Sequence, residues 1–324
     1  MKMIVGSLLF LLVTTLAFPQ SRFKIETSDI DHFWEAVDHL QSAHNEADSI
    51  QTIKALYFDR ATKYFKKFAK AKHFTPQELV ANLQAYPQFW KSVRPLTLKA
   101  KTSQAEIEAL YHKFEQVIPN FRPPTICFAI GCIRSGGTTS KGLLMIGTEI
   151  AAADSTVVKT ELTPWQKSVL GHNQIIAYVA HETVHTQQRG IPWGEFFKLA
   201  KHRSLSLLNL AIVEGSADFI TQNFIGININ AHLIRYAEPR QCVLWKEFEQ
   251  DHRTKPYDHS KWIYNGTSSR NRPADLGYYL GMKISEQYFK SQSDKTKALS
   301  TLLHRGKYKK VFNESKYAEV ACQN

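Results

Sequence analysis

Residues 178–189 read YVAHETVHTQQR, and whether His181, Glu182 and His185 gather around one ion decides how the surrounding chain must fold. In a helix, residues four apart lie one turn above each other, so the imidazoles of His181 and His185 can reach a single metal. Glu182 sits roughly 100° around the axis, at the edge of that face. This is the H-E-x-x-H spacing, in which two imidazoles bind zinc and the carboxylate works on water at the metal. The chain has 13 histidines, so five letters carry weight only with their context.

Upstream of the motif, Thr163-Pro164-Trp165 reads as a helix N-cap with proline at the first helical position. The helix it opens is expected to break near Gly171-His172-Asn173, to run from Ile175 to Arg189, and to stop at Gly190-Ile191-Pro192. Gln174, Ala177, Tyr178, His181, His185 and Gln188 share one face, with Gln188 read as a helix-end polar residue. A catalytic zinc takes three protein ligands. A downstream H-x-x-G-x-x-H continuation is excluded, because Gln188 and Ile191 stand at the corresponding positions. Residues 207–224, LLNLAIVEGSADFITQNF, supply the alternative in Glu214. Leu210, Val213, Ala217 and Phe219 give it an apolar setting, where an unpaired charge is costly. Asp218, one turn on, is placed to accept a hydrogen bond from a ligating histidine and fix its tautomer. Gly215, Ser216 and Ala217 keep that helix slim enough for close approach.

Residues 125–152, TICFAIGCIRSGGTTSKGLLMIGTEIAA, hold two apolar β-prone runs around a Gly136-Gly137-Thr-Thr-Ser turn region, expected as an antiparallel pair of strands. From Ser28 to Ile118 apolar residues recur at three and four positions, as in Phe33, Ala36, Val37 and Leu40, which marks a helical region. Breaks are expected at Thr75-Pro76, Tyr86-Pro87 and Phe121-Arg-Pro-Pro124. The expectation is a predominantly helical α+β protein with a leader over residues 1–20, a helical region over 21–122 and a metal-bearing region over 123–324.

The start, MKMIVGSLLFLLVTTLAFPQS, has the charged, apolar and small-residue layout of an export signal and is too short for a good membrane span. An exported, periplasmic or secreted chain with no transmembrane span after cleavage is therefore expected. No cysteine follows this region, which argues against lipid attachment there. Four cysteines permit three pairings in an oxidising compartment; Cys242 with Cys322 would tie the tail down, and free buried thiols are the alternative. Cys127 and Cys132 on one strand would face opposite sides. The formal net charge of +12 is spread over amphipathic faces such as residues 63–72, and no nucleic-acid-binding module is present, so no nucleic-acid partner is expected.

His181-Glu182-x-x-His185 followed by Glu214-x-x-x-Asp218 resembles the gluzincin metallopeptidases. That resemblance implies a zincin-like core, one zinc ion held by His181, His185 and Glu214, Glu182 as general base and acid, and Asp218 behind a ligating histidine. It also implies an edge strand within residues 142–150 that pairs with a peptide or protein substrate. More narrowly, SGGTTSKGLLMIGTEI, HETVHTQQ, IVEGSADF and RPADLGYYLGMKISEQYF together resemble a bacterial family of predicted zinc-dependent proteases, distantly similar to gliding-motility lipoproteins. The oxyanion formed in peptide hydrolysis needs a donor besides the metal. Tyr278 and Tyr279 are the first candidates, with Arg272, His252 and His259 behind them. The expectation is thus an exported zinc peptidase. Its rivals are a non-catalytic envelope factor that acts by binding in secretion or surface assembly, and a zinc hydrolase of another carbonyl bond.

Overall fold

The computed structural model describes residues 23–190, 205–266 and 272–323; the expected leader over residues 1–20 lies outside them. Six helices, α1 (Ser28–His39), α2 (Glu46–Ile53), α3 (Lys63–Lys72), α4 (Pro76–Ala85), α5 (Pro87–Thr97) and α6 (Gln104–Val117), occupy the expected helical stretch. Their breaks fall at the expected prolines. Thr75 Oγ1 accepts from the Glu78 amide at 3.1 Å, and Pro76 and Pro87 open α4 and α5. The apolar stripes meet in an aromatic core in which Phe33, Tyr57, Phe65, Phe89 and Trp90 are all nearly inaccessible to solvent.

Four short strands form one sheet in the order β1-β2-β4-β3, comprising β1 (Ile25–Glu26), β2 (Thr125–Ala129), β3 (Gly137–Ser140) and β4 (Leu143–Gly147). The expected antiparallel pairing of the two apolar runs does not occur. They pair in parallel, from Thr125 opposite Leu143 to Ala129 opposite Gly147, and β3 is the antiparallel partner of β4. The reason lies in the turn. Gly142, at φ +67°, turns the chain between Ser140 and Leu143, so the β-branched Thr138-Thr139 segment becomes a strand instead of a loop. β4 is thereby enclosed between β2 and β3 and buried along its whole length, as its unbroken apolar run requires. The edge strand expected within 142–150 is accordingly β3, over 137–140.

The segment between β2 and β3 is pinned from two sides. The Tyr57 hydroxyl donates to the Ile130 carbonyl at 2.6 Å, and the Glu149 carboxylate accepts from the Gly131 and Ile133 amides at 3.0 and 3.1 Å. Glu149 is fully buried, and burial pushes its pKa up to about 7 against the pull of those amides.

The motif helix spans Ile175–Gln187, separate from a short helix over Pro164–Val169, so the break expected near Gly171 is real. The helix bearing Glu214 spans Leu207–Ile220 and is buried on every side. Its glycine serves a contact the spacing did not suggest, with the helix over Leu276–Ser291. A Cβ on Gly215 would lie 2.1 Å from the Gly281 carbonyl carbon, and one on Gly281 would lie 1.7 Å from the Ala211 oxygen. These two helices cross backbone against backbone. Cys242 and Cys322 form the disulfide, with Cα atoms 4.5 Å apart, whereas Cys127 and Cys132 are free and buried. Among the described residues no helix is long and apolar enough to cross a membrane.

Gly281→Ala should lower the unfolding free energy by on the order of 3 kcal/mol, because the new methyl meets backbone that cannot step aside; an unchanged denaturant midpoint would show that the crossing has slack. Glu149 titrates at about 7 in the folded chain and near 4.3 when unfolded, so its stabilising contribution is complete below the unfolded value and is lost as pH rises through 7. The stability advantage of the wild type over Glu149→Gln should therefore shrink between pH 4.5 and 8, measured by urea titration at each pH.

Candidate metal centre

His181 and His185 stand one turn apart on the buried side of the motif helix, and Glu214 faces them from the Leu207–Ile220 helix. His185 Nε2 lies 3.1 Å from His181 Nε2 and 3.0 Å from Glu214 Oε2, and His181 Nε2 is 3.5 Å from the same oxygen. Among the described residues this is the group able to hold a metal ion.

The outer ring nitrogens determine what the inner ones can do. Gln188 donates through Nε2 to the Val213 carbonyl (2.9 Å) and Ser216 Oγ (3.1 Å), which turns its Oε1 toward His185 Nδ1 at 3.0 Å. Asp218 Oδ1 lies 2.8 Å from His181 Nδ1, and Asn230 Nδ2 holds the other carboxylate oxygen at 2.8 Å. With Nδ1–H donating outward in both rings, neutral imidazoles aim two Nε2 lone pairs at each other and at Glu214. Three acceptors converge with no donor between them, and a cation resolves that conflict. A tetrahedral ion bound at about 2.0–2.2 Å places its ligand atoms roughly 3.3–3.6 Å apart, close to the separations found here. The donor set fits a divalent metal.

In the metal-free chain a proton on His181 answers the same conflict that a metal cation would. Burial disfavours an imidazolium at His181, yet Asp218 and Glu214 outweigh it and hold its pKa well above the usual value. Burial would raise Glu214, but His185 and His181 keep it well below the ordinary carboxylate range. Burial raises Glu182, with the two histidines opposing.

The triad lies at the base of a cleft of about 750 Å³, whose walls include Trp165, Tyr178, Leu233 and Tyr278. The Gly136-Gly137 pair brings β3 against the motif helix. A Cβ on Gly136 would penetrate the Tyr178 ring, and one on Gly137 would come within 2.9 Å of Glu182 Oε1. Glu182 therefore faces the cleft beside the edge strand. Tyr278 lines the cleft with its ring stacked 6.2 Å from that of His181. Tyr279 is not brought to the site, because it faces the other side of its helix and donates to Gln241 Oε1 at 2.9 Å. His259 lines the cleft and contacts the Leu205 carbonyl, His252 packs among Trp245, Phe248 and Phe312, and Arg272 pairs with Glu247.

Two further contacts, from Tyr264 and Gln188, complete the site. The Tyr264 hydroxyl donates to Glu214 Oε1 at 2.5 Å, leaving Oε2 toward the histidines. Tyr264 holds a φ of +56°, strained for a bulky residue, so the surrounding chain imposes the position. Nothing local marks it, since it lies in an irregular segment 50 residues from its partner. Gln188 carried a signal, because it stands three residues after His185 on the same face.

A family model described as gliding motility protein GldB matches residues 20–319. No curated protein and no solved structure matches the chain significantly. The match overturns the peptidase assignment drawn from the motif, and with it the identification with a family of predicted zinc-dependent proteases. The likeness to gliding-motility proteins, read from the sequence as distant, spans nearly the whole chain.

Gln188→Ala and Asp218→Ala should each weaken metal affinity by about 10–100-fold, read by competition with a chromophoric chelator. Affinity unchanged in both variants would show that the outer hydrogen bonds do not orient the rings.

Proposed function

The chain belongs to the gliding motility protein GldB family, and on that premise we propose that it is a non-catalytic envelope factor, acting by binding in surface assembly with a zinc-bearing cleft as its binding site. The observation that carries this reading is the match over residues 20–319 together with a cleft whose base is built from buried, oriented donors. His181, His185 and Glu214 are the proposed zinc ligands. Asp218 and Gln188 orient the rings, and Tyr264 holds Glu214. Two imidazoles and one carboxylate suit zinc, and three protein ligands leave one coordination position open to a ligand.

Family membership and the Cys242–Cys322 disulfide are both consistent with export to the cell envelope. We place the chain on the periplasmic side, with a protein partner. Glu182 is then a polar wall of the cleft beside β3, and Tyr278 is an aromatic wall.

The test is complementation of a deletion strain of the parent bacterium, scored by surface spreading, beside a peptide-library cleavage assay on zinc-loaded protein. The wild type should restore spreading and cleave nothing, and His185→Ala should not restore spreading. Chelator-sensitive cleavage that Glu182→Gln abolishes would overturn the binding role.

A further inference from the structure

Resting on the reading of the cleft as a binding site, we propose that Lys72 anchors a carboxylate there and that the ligand is a polypeptide C-terminus. Lys72 is the last residue of α3, from the helical region, yet it lines the same cleft as Glu182 and the triad. The backbone beneath it is held in place. His73 ends α3 in the left-handed conformation, and Arg134 Nη2 donates to the Lys72 carbonyl at 2.8 Å. Arg134 also pairs with Glu78 at 2.8 Å and stacks over Phe74, so its own charge is engaged.

Lys72 is half-buried, and its amine makes no hydrogen bond or ion pair among the described residues. Glu182 is likewise half-buried, its carboxylate without a hydrogen-bond partner among them. Opposite charges that line one cleft without closing on each other leave a donor and an acceptor to be satisfied together, and enclosed charges left unpaired are costly. A chain end satisfies both, since its carboxylate accepts from Lys72 and an amide N–H of its last residues donates to Glu182. A phosphate dianion brings no N–H for Glu182 and sets more negative charge beside it than a carboxylate does. Trp165, Tyr178, Leu233 and Tyr278 supply an apolar and aromatic surface for a terminal side chain.

The test is calorimetric titration of the full chain, zinc-loaded and chelator-stripped, with acetyl-Ala-Phe-Ala as free acid and as C-terminal amide. Acetyl-Ala-Phe-Asp-Ala amide and phenyl phosphate are the comparison probes. The free acid should bind at least about tenfold tighter than its amide and tighter than either comparison probe, a step of about 1.4 kcal/mol. Lys72→Met should abolish the acid-to-amide ratio with melting temperature and zinc content unchanged, and Lys72→Arg should keep part of it. Equal binding of acid and amide, a ratio that survives Lys72→Met, or no saturable binding would overturn the proposal. So would tighter binding of the internal aspartate peptide or of phenyl phosphate. The ratio in stripped protein separates the two readings: if it persists in a chain that takes up no zinc, the metal assignment fails and this one stands.

Discussion

Two imidazole nitrogens and a carboxylate oxygen, all acceptors, point at one another across about 3 Å inside the protein, and the neighbouring structure is organised around holding them there. Left to themselves, such groups would turn outward to water or take up protons. Here the outer nitrogen of each ring is fixed by a different partner, a carboxylate for His181 and a carboxamide for His185. Asn230 in turn fixes Asp218, and the Val213 carbonyl and Ser216 fix Gln188. The helix that supplies Glu214 thus also orients both histidines.

That helix can do so because its own place is set without side chains. The crossing of Gly215 and Gly281 brings two backbones into contact and holds Tyr278 over the His181 ring. On the other side, the Gly136-Gly137 pair lets the edge strand lie against Tyr178 and Glu182. The end of the motif helix is tied to the C-terminal region as well. Arg305 donates to the His185 carbonyl at 2.9 Å, and the Arg189 amide donates to the Leu303 carbonyl at 2.7 Å. A site assembled from segments so far apart in sequence is coupled to the packing of the whole fold.

Much of this was legible in the sequence because it depends on short-range periodicity. The helical breaks at Pro76 and Pro87, the two helices carrying His181 and Glu214, and the spacing from Glu214 to Asp218 follow from helix geometry and capping chemistry. What was not legible depends on long-range pairing. Two apolar runs joined by a glycine-containing loop look alike whether they pair in parallel or antiparallel, and Gly142, not Gly136-Gly137, proved to be the turn. Tyr264 and Lys72 reach the cleft from segments with no periodic signal for it. Adjacent residues on a helix differ by about 100°, so Tyr278 faces the site and Tyr279 turns away to Gln241.

Function is set by more than the geometry of the cleft. A complete set of ligands and a neighbouring carboxylate describe what chemistry a cleft can hold, whereas the family match over residues 20–319 is to a gliding motility protein, and site geometry can be kept for binding. The central claim remains that the triad is a metal centre. Anomalous diffraction at the zinc edge, on crystals of the chain purified without added metal, tests it most directly. A single strong peak within about 2.0–2.2 Å of His181 Nε2, His185 Nε2 and the Glu214 carboxylate is predicted; a site with no anomalous peak after zinc soaking, its histidines paired only with Glu214, would contradict it.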